Sequence, residues 1–400
     1  MSNSNVQTAW APLQVEEMLG GRDPLCLDIL GVQFTVRWGR GVTGQQRARM
    51  RSAWARCASE SAPHLPSLPR EPNGSQPFSA SVTYQSLTDD GGTFALQAAS
   101  FEELAENLTS RLTVAAILAN AGQLTMLHAC GVADPATGAV VALVAKSGTG
   151  KTTAARVLAG TYGYVTDETV AIRPDGSVVP YPKPLSLKQE YLVPKLQVGP
   201  DELKLQPAHT KPFIQSIVLL DRVEATHPVL PILSKVPLAD ALLALIPDSS
   251  SQGELDQPLQ SLCRLIDSVG GVWRVTYSEA ADLPVALQPL FQEQLRTNPQ
   301  WEAPAVETES GHIPSGFIRR AAPKDAVAIG DDLLLMLDNE IVRLSGIGPA
   351  IWEATAKALA EDQLADDVVK VHGRQEGYRD AVSEAARQLI AKSVLEQGNN

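Results

Sequence analysis

Apolar and polar residues alternate along the first part of the chain in a way that predicts β-strands. Apolar side chains recur at every second position over much of residues 24–37, and residues 79–84 and 92–98 repeat this strand pattern. Between them, residues 44–59 carry the apolar spacing of a helix. We therefore expect a small N-terminal α+β domain over residues 1–104.

The middle of the chain predicts a larger α/β core over residues 105–290. A helical pattern over residues 104–121 leads into two apolar strands, residues 125–133 and 139–144, which a turn containing proline and glycine connects. The strands and helices that follow carry enough apolar faces to complete one α/β core. An antiparallel hairpin at this point differs from the parallel βαβ units of most P-loop proteins.

The hairpin also predicts a position for a histidine. If Ala133 pairs with Ala139, counting outward along the antiparallel strands places His128 opposite Val144. That register puts the imidazole beside the segment that follows Val144. His128 is therefore a candidate catalytic residue.

The last part of the chain predicts a separate small module over residues 325–396. Residues 291–324 contain prolines among polar residues without periodicity, which is typical of an interdomain linker. The pattern after them predicts three short strands and then three amphipathic helices. The strands are expected at residues 327–329, 333–337 and 341–344, and the helices at 348–358, 364–371 and 378–395. This βββααα order predicts a winged-helix-like fold.

The segment after Val144 has the pattern of a phosphate-binding loop. Residues 145–152 are Ala-Lys-Ser-Gly-Thr-Gly-Lys-Thr, and they connect an apolar strand to a helix-compatible stretch. The glycines let backbone N–H groups face phosphate oxygens, the lysine adds a charge, and the helix N-terminus adds its dipole. The alternative is an ordinary glycine-rich turn. The predicted nucleotide-binding residues are Ser147, Gly148, Thr149, Gly150, Lys151, Thr152 and Thr153.

Two acids follow the loop within an apolar stretch, residues 162–172. Burying Asp167 and Glu168 there requires a metal, a cation or a protonated state, and the loop upstream supplies the first two. Thr152 and Asp167 are the predicted Mg²⁺ ligands. Because successive strand side chains point to opposite faces, we expect one acid to serve the metal and the other to face the acceptor. An exposed acid pair on an edge strand is the alternative.

A proline-rich loop carries two further cations. Lys183 lies between Pro182 and Pro184, and Lys188 follows five residues later. Each lysine is either a second phosphate contact reached from a rigid extended loop or an ordinary solvated side chain.

Charge and cysteine content restrict the classes of partner. The 400 residues have a formal net charge of -12, which argues against binding to nucleic acid or to an anionic membrane. The four cysteines are scattered without a CxxC pair, so neither a disulfide framework nor a zinc site is indicated. The chain shows no apolar run of about eighteen residues and no signal-peptide pattern, so a cytoplasmic protein is expected.

With hairpin, loop and acid pair in place, residues 105–290 resemble the HPr kinase/phosphorylase superfamily. The resemblance is carried by Leu-His-Ala at residues 127–129, by the loop at 146–152, and by Thr-Asp-Glu at 166–168. It implies an HPr-kinase/PEP-carboxykinase-like P-loop core that transfers phosphate from ATP, or in some members from pyrophosphate, to a serine hydroxyl. The family has two aspartates where this chain has Asp167 and Glu168. Glu190 is a candidate for the family's further metal-binding glutamate.

Residues 325–396 look like the PqqD family of peptide chaperones, which recognise precursor peptides. The stretch over residues 344–352, Leu-Ser-Gly-Ile-Gly-Pro-Ala-Ile-Trp, stands where such domains often have Leu-Asn-x-x-(Gly/Ala)-x-x-Ile-Trp. The resemblance implies capture of a leader peptide along the third strand, Glu340–Leu344, and the third helix, from Tyr378 to Leu395. β-Strand addition is the physical mode of such capture.

The two resemblances together imply a kinase that uses ATP and Mg²⁺ to modify a Ser or Thr hydroxyl of a ribosomally made precursor peptide. Lys151 would hold the β- and γ-phosphates, Asp167 or Glu168 would accept the hydroxyl proton, and His128 would orient acceptor or phosphate. One alternative is a nucleotide-gated peptide chaperone without enzymatic activity. Another is a kinase of a free small molecule. The sequence leaves a homo-oligomer open.

Overall fold

The computed structural model describes residues 24–60, 77–85, 91–146, 149–189, 192–224, 227, 229–293, 298–373 and 376–398. Its helices are α1 Gly44–Ala53, α2 Phe101–Ala119, α3 Lys151–Leu158, α4 Leu238–Leu245, α5 Pro258–Ser268, α6 Leu283–Leu287, α7 Gly348–Ala354, α8 Glu361–His372 and α9 Tyr378–Ala391. The strands of the first half are β1 Leu25–Ile29, β2 Val32–Trp38, β3 Phe78–Gln85, β4 Gly91–Ala98, β5 Thr125–Leu127, β6 Ala129–Ala133, β7 Ala139–Val144, β8 Gly163–Thr166, β9 Val170–Ile172, β10 Val178–Val179, β11 Leu185–Gln189 and β12 Leu192–Val198. Those of the second half are β13 Gln206–Pro207, β14 Phe213–Arg222, β15 Ile232–Val236, β16 Ser249–Ser250, β17 Val272–Tyr277, β18 Phe317–Arg320, β19 Asp325–Ile329, β20 Asp332–Leu337, β21 Glu340–Leu344, β22 Leu359–Ala360 and β23 Leu395–Gln397.

The N-terminal strands form an antiparallel sheet in the order β1-β2-β3-β4, and α2 packs against it in the first hydrophobic core. Helix α2 begins after Ser100, whose Oγ accepts the Glu103 N–H at 3.1 Å and so satisfies one of the free amides of the first turn. The same core reaches the middle of the chain through Tyr181, whose hydroxyl lies 2.7 Å from Thr113 Oγ1. The boundary expected after residue 104 falls inside α2, and the limits of the domains stay a prediction.

Within the described stretches, seven strands form a mixed sheet in the order β13-β8-β6-β7-β14-β17-β15. β14 pairs in parallel with β7 and β17, whereas β6 pairs antiparallel with β7 and β8. All six positions of β7 are buried, as expected for a central strand covered on both faces. Its alternate residues enter two cores, one shared with α4 and α5 and the other with α3 and α6. The predicted α/β class is confirmed, and the central sheet is mixed, with both parallel and antiparallel strands.

The predicted hairpin exists, but its register differs by one residue. Asp134 rather than Ala133 closes the turn opposite Ala139, because the Asp134 N–H donates to the Ala139 carbonyl at 2.8 Å. Ala129 therefore faces Val144, and the expectation that His128 would do so was wrong. The chain leaves the central sheet at His128, since β5 belongs to a second sheet in the order β10-β9-β5-β16.

The C-terminal strands and helices follow the predicted βββααα order. Strands β19, β20 and β21 form an antiparallel sheet whose alternate side chains pack on α7, α8 and α9 on one face and on the central domain on the other. Asp325 anchors this contact: its carboxylate accepts the backbone N–H groups of Leu259 at 2.8 Å and Gln260 at 2.9 Å, at the start of α5. This acid supplies a cap from a distant part of the chain.

Two segments of the C-terminal part differ from the pattern that periodicity predicted. The last helix ends at Ala391, because the chain turns through Ser393 in the left-handed region and β23 then pairs with β18. The expected linker contains β18, and Trp301 within it donates its indole N–H to Asp267 at 2.8 Å. Both segments therefore have partners that periodicity did not reveal. None of the described helices is long and apolar enough to cross a membrane.

Candidate active site

The glycine-rich loop lies between the central strand β7 and the N-terminus of α3. Gly150 is the N-cap of α3 and has φ of +96°, a conformation that glycine adopts without the strain of a Cβ atom. Thr149 closes the preceding turn, since its hydroxyl donates to the Lys146 carbonyl at 2.6 Å. The loop therefore presents a helix N-terminus to its interior, as a phosphate site requires. The predicted residues Ser147 and Gly148 lie outside the described residues.

Lys151 is the first residue of α3, directly after the loop. Its side chain is mostly buried, and Nζ donates to the carbonyl oxygen of Ala145, at the other end of the loop. Burial lowers the pKa of Lys151 below its ordinary value, while the carboxylates of Asp248 and Glu168 act in the opposite direction. The ammonium is therefore close enough to these two acids to interact with them electrostatically.

Thr152 and Asp167 lie together, as the sequence predicted for the metal ligands. The Thr152 hydroxyl donates to Asp167 Oδ2 at 3.2 Å, and the Tyr164 hydroxyl donates to Oδ1 of the same carboxylate at 3.1 Å. Asp167 is 6% exposed, so this carboxylate is held in one orientation. A hydroxyl and a carboxylate oxygen side by side are hard ligands that suit Mg²⁺. The donor set at this position therefore fits the metal that a phosphate loop uses.

The acid pair does not lie inside a strand. Asp167 and Glu168 occupy a bend between β8 and β9, and their carboxylates converge on one ammonium group rather than pointing to opposite faces. Lys183 Nζ lies 2.9 Å from Asp167 Oδ1 and 3.1 Å from Glu168 Oε2. The expected position of the two acids on opposite faces of a strand was therefore wrong, because the bend removes the alternation at these two positions, whereas the division of their roles stays a prediction.

The sequence did not decide whether Lys183 contacts phosphate or is an ordinary solvated side chain on the surface. Its side chain is 2% exposed. Burial by itself would lower the pKa of Lys183, but the carboxylates of Asp167 and Glu168 outweigh burial and raise it above the ordinary value. The ammonium is therefore charged and paired. The flanking prolines were the sequence signal for a rigid position, and Lys188, by contrast, is exposed.

His128 lies near the loop despite the different register. Its backbone N–H donates to the Asp248 carbonyl at 2.7 Å, and the next residue donates to the Glu168 carbonyl at 3.1 Å. Burial and the nearby charge of Lys151 lower the pKa of His128, against the opposing effect of the Glu168 and Asp248 carboxylates. Asp248 was not predicted as a site residue, because a lone acid after a helix carries no distinctive signal.

Apart from Thr149 and Gly150, which lie at the end of the loop before α3, the predicted site residues divide into three groups. Lys151, Thr152, Asp167, Glu168 and His128 are brought together by contacts or by electrostatic interaction. Thr153, by contrast, is exposed in the first turn of α3. Ser147, Gly148 and the suggested glutamate Glu190 lie outside the described residues.

The fold defines a mixed α/β protein in which a glycine-rich loop connects β7 to α3. No known family model matches the chain, and no curated protein matches its sequence. Among solved structures, the HPr(Ser) kinase/phosphatase from Coxiella burnetii is similar to it, with 11% sequence identity over 41% of this chain and 92% of that chain, at a TM-score of 0.20. The likeness is distant at this TM-score. The resemblance of residues 325–396 to peptide-binding modules stays a prediction.

Proposed function

We propose that this chain is an ATP- and Mg²⁺-dependent kinase that phosphorylates a Ser or Thr hydroxyl of a ribosomally made precursor peptide. The observation that carries the proposal is the hydrogen bond between Thr152 and Asp167 at the start of α3, with the second acid, Glu168, adjacent to it. A metal-binding pair, a phosphate loop and a neighbouring base are the parts that phosphoryl transfer requires.

The loop residues would bind the phosphates. Backbone N–H groups at the start of α3 and the ammonium of Lys151 are the positive groups of the site. Lys151 would exchange the Ala145 carbonyl for a phosphate oxygen, which is a stronger acceptor because it is charged. Thr152 and Asp167 would hold Mg²⁺, which when bound neutralises the charge that develops on the transferred phosphoryl group.

The two acids would have different roles. The Asp167 side chain is 4% exposed and surrounded by donors, whereas the Glu168 side chain is 35% exposed. An acceptor hydroxyl approaching from solvent therefore reaches Glu168 first. We assign the metal to Asp167 and the base to Glu168, which would take the hydroxyl proton. His128 lies close enough to Glu168 and Lys151 to interact with both, and would orient the acceptor or the phosphate.

The C-terminal module would hold the peptide. β21 is an edge strand: it pairs with β20, and no other described strand pairs with it. Ile341 and Val342 on this strand are half-buried and border the core on opposite faces of the sheet. An extended leader peptide adding beside Glu340–Leu344 would satisfy the free backbone groups of the edge and cover these side chains.

The test is intact-mass analysis of a precursor peptide encoded beside this gene, incubated with the protein, ATP and Mg²⁺. We expect a gain of one phosphate on a Ser or Thr residue, and we expect no gain with the Lys151→Ala variant. A peptide without its leader should react more slowly at low concentration, because the module can no longer hold it.

Two results would contradict the proposal. Peptide binding without any change in mass would favour a nucleotide-gated chaperone that delivers the peptide to another enzyme. Equal phosphorylation of the leaderless peptide and of a free hydroxy amino acid would favour a small-molecule kinase.

A further inference from the structure

The buried ammonium of Lys183 contacts one oxygen atom of each carboxylate in the acid pair and leaves the other oxygen of each carboxylate for a different partner. Asp167 uses Oδ1 for Lys183 at 2.9 Å and for the Tyr164 hydroxyl at 3.1 Å, which leaves Oδ2 facing Thr152. Glu168 uses Oε2 for Lys183 at 3.1 Å, and no described residue bonds its Oε1. Each carboxylate thus has one oxygen anchored on the same cation and one oxygen directed elsewhere.

The backbone around Lys183 is tied to the strand that leads into the acids. The Tyr181 N–H donates to the Val165 carbonyl at 3.0 Å, and the Tyr164 hydroxyl lies 3.3 Å from the Lys183 carbonyl, which can accept from it. Nζ also donates to the carbonyl of Pro184 at 3.1 Å. These bonds connect the lysine loop to β8 just before the chain reaches the acid pair. The backbone that carries Lys183 is therefore held next to the end of β8.

We infer that Lys183 is a positioning residue for phosphoryl transfer: it turns Asp167 Oδ2 toward the metal and Glu168 Oε1 toward the acceptor hydroxyl. This inference rests on the proposed kinase function. Residues that hydrogen-bond to metal ligands orient those ligands in this way. Loss of such a residue typically costs about 10–100-fold in metal affinity or activity.

The competing role for Lys183 is that of a simple counter-ion that offsets the charge of a buried acid. The two roles predict opposite effects on metal binding. Removing a counter-ion makes the site more negative, so a divalent cation would bind more tightly. Removing a positioning group lets Asp167 turn away from Thr152, so the cation would bind more weakly despite the additional negative charge.

The experiment compares Lys183→Met and Lys183→Arg with the unaltered protein and with Lys195→Met. Lys195 is a matched control, because it pairs with Glu106 at 3.7 Å on the surface and its side chain is 46% exposed. Thermal unfolding reports folding, and fluorescence titration with a labelled nucleotide in the presence of a chelator reports nucleotide affinity. Electron paramagnetic resonance then measures Mn²⁺ affinity with a non-hydrolysable ATP analogue, and transfer kinetics give kcat and KM.

For Lys183→Met we expect metal-free nucleotide affinity within about threefold of the unaltered value, Mn²⁺ affinity weakened by about tenfold, and kcat lowered by about a hundredfold. Lys183→Arg keeps the charge and the donors, so we expect it to recover part of the Mn²⁺ affinity and of kcat. Lys195→Met should change none of these quantities.

Tighter Mn²⁺ binding by Lys183→Met would overturn the inference in favour of a counter-ion, and so would an unchanged kcat. Unfolding of both Lys183 variants would also overturn it, since the lysine would then serve the fold. The Mn²⁺ measurement does not depend on transfer. Weakened Mn²⁺ binding in Lys183→Met, combined with no transfer by the unaltered protein, would support the positioning role and contradict the kinase proposal alone.

Discussion

Two ion pairs of equal length lie in opposite environments in this protein. Lys183 Nζ and Asp167 Oδ1 are 2.9 Å apart beside the phosphate loop, and their side chains are 2% and 4% exposed. A guanidinium nitrogen of Arg343 and Asp240 Oδ1 are also 2.9 Å apart, where the C-terminal module meets α4, but those side chains are 38% and 50% exposed. Distance alone therefore says little about what an ion pair contributes, because burial decides whether water can replace the lost partner.

The difference between the two regions extends to their neighbours. The buried pair is surrounded by the Tyr164 hydroxyl, the Thr152 hydroxyl and the Pro184 carbonyl, so every polar atom has a fixed direction. The exposed pair shares Arg343 with Asp332, and solvent reaches all three groups. A fixed arrangement is useful for chemistry, whereas the exposed charges keep the surface soluble and contribute little to stability.

The largest expected effect follows from removing the buried cation of the loop. Lys151→Ala should lower phosphate transfer by about a thousandfold, because the charge that stabilises the transition state is lost. Peptide affinity should stay unchanged, since the proposed function assigns peptide binding to the C-terminal module. Lys370→Ala, which removes an exposed cation of α8 that pairs with Asp367, is the control and should leave transfer unaltered. Calorimetric titration with the precursor peptide, beside a transfer assay, checks both parts; loss of peptide binding in Lys151→Ala would contradict the division of roles.

The next effect concerns the stability of the buried pair. Asp167→Ala should lower the free energy of unfolding by about 3–5 kcal/mol, because Lys183 then stays buried with only part of its compensating charge. Asp240→Ala removes the acid of the exposed pair at the same distance and should leave the urea midpoint unchanged within error. If the two variants lost equal stability in urea denaturation, burial would not be the quantity that separates the two pairs.

A smaller effect is expected from pH. Burial lowers the pKa of His128 in the folded protein below its ordinary value of 6.5. Below about pH 6.5 the unfolded chain therefore binds a proton that the folded chain does not, so stability decreases as the pH falls, by at most about 1.4 kcal/mol per pH unit. His128→Asn should reduce this slope in urea denaturation between about pH 7.5 and about pH 5, and the exposed His312→Asn controls for the change of residue type. An unchanged slope in His128→Asn would show that other groups cause it.

The smallest effect is expected from the exposed pair itself. Arg343→Ala should leave the urea midpoint within error of the unaltered protein at low and at high salt, because solvent and salt already screen the charge. Transfer to the precursor peptide should also be unchanged. A clear loss of transfer would mean that the contact between Arg343 and Asp240 couples the module to the site. The exposed ion pair would then matter for function as the buried one does, despite the difference in burial.

The sequence alone predicted most of the local elements and the position of the glycine-rich loop between a strand and a helix. The strands and helices follow from apolar spacing, and glycine at position 150 suits a backbone with φ of +96°, which glycine adopts without strain. The nearness of Thr152 and Asp167 was also expected: Thr152 lies in the first turn of α3, and Asp167 directly follows β8, the next strand along the chain. These features depend on short segments of chain, and a short segment carries its own signal.

Only the tertiary structure decided the register of the hairpin, the convergence of the two acids and the burial of Lys183. A one-residue difference in register depends on which residue closes the turn, and here Asp134 closes it opposite Ala139. Lys183 lies sixteen residues from Asp167, and its position depends on bonds from Tyr164 and Tyr181 that cross between elements. The local sequence Pro-Lys-Pro does not indicate whether the lysine side chain is solvated or buried. The surrounding fold determines which of the two it is, because only the fold brings the compensating carboxylates within reach.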